Sequence, residues 1–93
     1  MTDLFLAVFT DHARRQMQRR GLGEQEVRHV LQAPTTIEPV RPGRVVAQKL
    51  IPLGEPARDY VVRVFIDVDL TPPQIVTAYR TIKLAKYHIG GSE

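Results

Sequence analysis

The sequence predicts an α+β fold in which one short N-terminal strand precedes two helices packed on a mainly antiparallel sheet of about four strands. Three observations predict it. Two short stretches of helical apolar rhythm lie together near the N-terminus, the rhythm changes to period two from Thr35 onward, and short turn signals separate the period-two segments. At 93 residues and 43% hydrophobic content, the chain suits one domain covering 1–93. A chain of this size buries only about 60 to 65% of its unfolded surface and cannot support two cores.

The apolar run Leu4–Phe9 reads as the first strand. It is too short to span a membrane, and Asp3 precedes it where a secretory signal carries cations. Thr10 is a suitable N-cap and Gly21 a suitable stop for a helix of about ten residues, in which Ala13 and Met17 share the core-facing side. His12, Arg15, Gln16 and Arg19 form a neighbouring stripe at about 100° per residue. A second helix starts at Gly23 or Glu24. Leu22, Val27, Val30 and Leu31 carry its rhythm, and it ends at Ala33 because Pro34 disfavours helix in the residue before it. His29 lies among these core positions and reads as structural.

Ile37–Val40 and Val45–Ile51 flank the turn signal Arg41-Pro42-Gly43-Arg44, and Pro52–Asp59 reads as a loop. Tyr60, Val62, Val64, Ile66 and Val68 alternate with Val61, Arg63, Phe65 and Asp67, which makes this the clearest strand, with the first set buried. After the break Asp69-Leu70-Thr71-Pro72-Pro73, residues Gln74–Arg80 form the last strand. Ile75 and Val76 are both apolar, so alternation leaves open whether Tyr79 or Arg80 faces the helices.

Charge is polarised along this frame. His12–Arg20 holds four arginines and no acid, and Tyr79–His88 adds Arg80, Lys83 and Lys86, again with no acid. All 10 acidic residues lie in the rest of the chain, which has only 6 of the 13 lysines and arginines. Concentrated positive charge of this kind attracts phosphate. Cysteine is absent, which removes disulfides and thiol chemistry and fits a reducing cytoplasm. Histidines 12, 29 and 88 have no zinc-type spacing, the six glycines build no phosphate loop, and the only serine, Ser92, lies in the tail. No metal or cofactor is expected.

The frame His12-Ala13, Met17, Arg20-Gly21-Leu22, Val27 and Val30-Leu31 before Pro34, closing on Thr77-Ala78-Tyr79-Arg80-Thr81 and residues Lys83 to Tyr87, resembles a bacterial family known as domain of unknown function 4258. It is distantly similar to the RelE and BrnT toxins. The resemblance covers roughly residues 8 to 88. The RelE-like group implies a small sheet with two helices, metal-free ribonuclease activity, and an antitoxin partner that occludes a basic groove. The chain departs from the family pattern at Gln16, where arginine is frequent, and at His88, where an aromatic is expected.

Metal-free RNA cleavage requires activation of a 2′-hydroxyl, cations for the phosphorane oxygens and an acid for the leaving 5′-oxygen. His12 can act as base or acid near neutrality, or can be a helix-start histidine bonded to backbone. Arg20 and Arg80 can hold phosphate, although Arg20 also suits the C-terminal helix dipole. Tyr79 or Tyr87 can stack on a base or act with Lys86, and packing is the alternative role for Tyr79. The expected catalytic set is therefore His12, Arg20, Tyr79 and Arg80, with Arg15, Arg19, Lys83, Lys86 and Tyr87 binding nucleic acid. The expected function is that of a cytoplasmic RelE-like endoribonuclease (mRNA interferase) acting on RNA, including ribosome-bound message, and neutralised by an antitoxin. The alternative is a non-catalytic module of the same fold that binds nucleic acid or protein.

Overall fold

A computed structural model describes residues 4–82. A 3₁₀ turn, Leu4–Leu6, leads into strand β1 (Val8–Phe9), helices α1 (Asp11–Arg19) and α2 (Glu24–Gln32), and strands β2 (Thr36–Arg41), β3 (Arg44–Leu53), β4 (Arg58–Asp67) and β5 (Gln74–Thr81). The sheet order is β1-β5-β4-β3-β2. β1 runs parallel to β5, and all other neighbours are antiparallel. The α+β class with two helices thus holds, but the sheet has five strands where about four were expected, because β1 adds to the edge of β5 through Val8 and Phe9.

The N-terminal strand is shorter than the apolar run suggested. Ala7 N–H closes back on the Leu4 carbonyl (3.0 Å), forming the turn, and Thr10 already serves α1. The Thr10 hydroxyl accepts from Ala13 N–H (3.1 Å) and donates to the Ile75 carbonyl (2.9 Å), so one side chain starts the helix and ties it to β5. At the other end of α1, Gly21 has φ of 65°. Leu22 N–H bonds to Met17 O (2.9 Å) and Gly21 N–H to Gln18 O (3.3 Å), a Schellman closure. Gly23 then caps α2, with its N–H bonded to the Glu26 carboxylate (2.9 Å). Leu22 just before the cap and Val27 one turn into the helix are both buried, as in a hydrophobic staple.

The core lies between the helices and one face of the sheet. Ala13 and Met17 of α1 and Val27, Val30 and Leu31 of α2 pack with Ala47, Ile51, Val62, Val64, Ile66, Ile75 and Ala78 from the strands. The alternation read from β4 places Val62, Val64 and Ile66 in this core, whereas Tyr60 is only half-buried and Val61, of the opposite set, is fully buried on the other face. His29 does not belong to this core: it is exposed, because two residues past Val27 a helix has turned about 200°. The expected Pro52–Asp59 loop also contracts. Pro52 pairs with Asp59 and Leu53 with Arg58, leaving a turn at 54–57 that Gly54 enters with φ of 97°. Polar residues there hide the strand ends from a period-two reading, but the ladder continues through them.

The β2–β3 turn is as expected, with Pro42 fixing its first corner and Gly43 (φ 85°) its second. The Asp69 carboxylate lies where a Gly43 Cβ would stand. No helix among the described residues is long and apolar enough to cross a membrane.

On the helix-free face, Arg44 of β3 grips Asp67 of β4 through Nε (2.6 Å) and Nη2 (3.1 Å). The guanidinium hydrogen bonds hold the Asp67 carboxyl below its ordinary pKa. A depressed carboxylate pKa stabilises the fold above the unfolded value of about 3.9, and that stabilisation is lost as pH falls through the lower folded value. Asp67→Asn is therefore expected to lower the denaturation midpoint near neutral pH, with the gap to the parent closing as both are titrated to about pH 2. Chemical denaturation across that range checks it; a gap that stays constant with pH contradicts the assignment.

Candidate functional site

The outer edge of β5 organises the site. β1 covers that edge only at Gln74 and Ile75, and among the described strands nothing pairs with it further on. α1 runs beside β5 in the same direction, starting at the Thr10–Ile75 bond and ending where Arg20 Nη1 donates to the Ala78 carbonyl (3.0 Å) and approaches the Thr77 hydroxyl (3.4 Å).

The structure settles which of Tyr79 and Arg80 faces the helices. Arg80 pairs with Val62 and Ala78 with Val64, and Val62, Val64 and Ala78 are core residues, so Arg80 lies on the helix side. Tyr79 pairs with Arg63 and points the other way. Arg20 nevertheless lies over the Tyr79 ring, 5.7 Å from its centroid. Coming from a helix on the opposite face, its side chain must pass round the uncovered edge. Arg80 in turn lies 4.7 Å from the centroid of the Tyr60 ring, with its Nη2 3.4 Å from where a Gly21 Cβ would stand. The two arginines thus straddle the edge of β5, one on each side and each on a tyrosine.

Across the helix-free face, strand register aligns Gln48, Arg63 and Tyr79 in one row, with Phe65 in the next. Arg63 Nε donates to Gln48 Oε1 (2.8 Å) and Nη1 donates to Tyr79 Oη (2.6 Å). Its guanidinium lies 5.4 Å from the Phe65 centroid and 5.7 Å from that of Tyr79, and the two rings stack at 6.1 Å with 29° between their planes.

Arg20, Tyr79 and Arg80 of the expected set therefore come together. His12 does not join them: it is exposed eight residues before Arg20 on the same helix, about 12 Å along its axis. Arg15 and Arg19 are exposed on α1. Their neighbour Arg14 is ion-paired with Glu24 (3.0 Å), an acid that the acid-free stretch concealed because it arrives from α2. Lys83, Lys86, Tyr87 and His88 lie outside the described residues. Gln48, Tyr60, Arg63 and Phe65 were not expected; the alternation of β4 already put Arg63 and Phe65 opposite the core, which was the available signal. Among the described residues no group of three or more His, Asp and Glu side chains gathers to hold a metal ion.

A family model described as Domain of unknown function (DUF4258) matches residues 9–80, well over half of the chain. The chain belongs to this family. The match contains both helices, Arg20, Tyr79 and Arg80, and stops short of Lys83. No curated protein and no solved structure matches the chain.

In this DUF4258 member Gly21 supplies a left-handed backbone, and a Cβ there would meet Arg80 Nη2 at 3.4 Å, an ordinary contact that leaves Arg80 in its place. Gly21→Ala is expected to cost about 1 to 2 kcal/mol from backbone strain and to leave Arg80 on Tyr60. Thermal denaturation and the Tyr60 ring signals in NMR check both parts; a shifted Tyr60 contradicts the second.

Proposed function

We propose that the protein is a RelE-like toxin-fold domain that holds single-stranded RNA across the outer edge of β5 and cleaves it without a metal. In this reading it is the cytoplasmic endoribonuclease of a toxin–antitoxin pair, and the antitoxin neutralises it by covering the same edge. The observation that carries the reading is the placement of Arg20 on Tyr79 and Arg80 on Tyr60, on the two sides of that edge. Both guanidiniums are held mainly by rings and backbone, so their charge is oriented but not cancelled by a carboxylate among the described residues. A cation kept over an aromatic face, beside a strand edge, suits a phosphate backbone with bases that stack. Exposed Arg15 and Arg19 extend the positive path along α1.

One observation favours a second reading, the non-catalytic module. General base catalysis requires hydrogen-bond contact with the proton to be moved, and His12 is about 12 Å along α1 from Arg20, beyond reach of a phosphate held there. Under that reading the arginines position RNA and no bond breaks.

Binding tests the shared part of both readings. With about four phosphates contacted, the slope of log affinity for single-stranded RNA against log salt should be near −3, and Arg20→Ala and Arg80→Ala should each flatten it by about 0.7. Salt-insensitive binding, or none at low ionic strength, removes RNA as the ligand. Cleavage separates the two readings. Purified protein free of antitoxin should cut free or ribosome-bound RNA in the presence of EDTA and leave 2′,3′-cyclic phosphate ends. If neither substrate is cut while binding persists, the module is the correct account.

A further inference from the structure

We infer that Gln48 and Arg63 are positioning residues that fix the ring of Tyr79 and thereby set how strongly the site holds bases, as distinct from phosphates. Only the binding half of this inference rests on the RNA reading. Gln48 lies mid-strand in β3 and is 3% exposed, the one polar side chain buried so deeply among the described residues. Burying an amide costs free energy unless its hydrogen bonds are replaced, and an apolar residue of similar volume would fill the position without that cost. Its carbonyl accepts from Arg63 Nε at 2.8 Å.

Rigid guanidinium geometry carries the constraint onward. The five N–H groups of arginine lie in one plane at fixed angles, so anchoring Nε fixes the direction in which Nη1 points. That direction is toward Tyr79 Oη, at 2.6 Å. The phenol is thereby held at its tip, while Phe65 stacks beside its ring at 6.1 Å and Arg20 lies 5.7 Å from its centroid. Three strands and the end of α1 thus hold one ring orientation, and Gln48 is the most deeply buried member of this set of contacts. A ring held in one orientation loses less entropy when a base stacks on it, whereas the long-range attraction of phosphate depends on charge and is indifferent to ring angle.

The test uses the full chain, with Gln48→Leu removing the acceptor and Gln48→Glu retaining it. Two measurements are made: the Tyr79 ring proton shifts without RNA, and affinities for an oligoadenylate and for an abasic ribose-phosphate oligomer of equal length. In the parent the base-bearing oligomer should bind about tenfold more tightly than the abasic one. Gln48→Leu should move the Tyr79 signals toward unstacked positions and bring the affinity ratio toward one, with the salt slope unchanged. Gln48→Glu should keep both parental values.

Unmoved ring signals together with an unchanged ratio in folded Gln48→Leu would overturn the inference. If the parent binds neither oligomer, the RNA reading fails by itself, and the ring signals alone decide whether Gln48 positions Tyr79. If Gln48→Leu does not fold, Tyr79→Phe, which keeps the ring and removes only Oη, replaces it: a parental ratio in that variant also overturns the inference.

Discussion

Two helices of nine residues each cover only one face of this five-stranded sheet, and most of the arrangement follows from that limit. On the covered face, small and branched residues such as Ala47, Val62, Val64 and Ala78 meet the helices directly. The opposite face has no such layer among the described elements. Its middle strands there carry Val46, Gln48, Val61, Arg63 and Phe65, of which Val46, Gln48 and Val61 are buried and Arg63 reaches side chains on both flanking strands. Its stem lies over the sheet and its head between two rings and an amide.

The same limit applies at the sheet edge. A strand edge left open exposes unpaired backbone groups and invites pairing with other chains. Here Arg20 answers for the Ala78 carbonyl, supplying a donor where β1 has ended. At the far edge, β2 uses other means: Pro39 lacks an N–H, Glu38 and Arg41 are charged, and the register shifts between Pro39 and Arg41. Of the two protected edges, the one at β5 is guarded by a side chain able to engage a ligand, and that difference singles it out.

Much of this is legible in the sequence. Thr10 and Gly21 bounded α1 because capping chemistry is local, and the long β4 alternation named Val62, Val64 and Ile66 because period two suffices when one face is covered. The orientation of β5 was not legible. Ile75 and Ala78 both reach the core although they are three residues apart, because the register slips between Phe65 and Ile66 of the partner strand, and nothing in Ile75-Val76 reports a slip that arises from pairing. For the same reason Arg63 looked like an ordinary outward residue: its contacts come from strands 15 and 16 positions away in sequence. His12 and Arg20 looked like one cluster because sequence proximity ignores the length of a helix.

Thr10 and Arg20 also have a mechanical consequence. Each end of α1 is bonded to a backbone carbonyl of β5, at Ile75 and at Ala78, so the helix is pinned to the strand at two points. A helix pinned once can pivot; pinned twice, it can neither slide nor swing without releasing a bond at one end. Local opening of α1 must therefore disturb β5, and the two should exchange amide hydrogens as one cooperative unit instead of as separate elements. The distance between the His12 and Arg20 ends is accordingly a fixed length in this protein, about 12 Å along the helix axis.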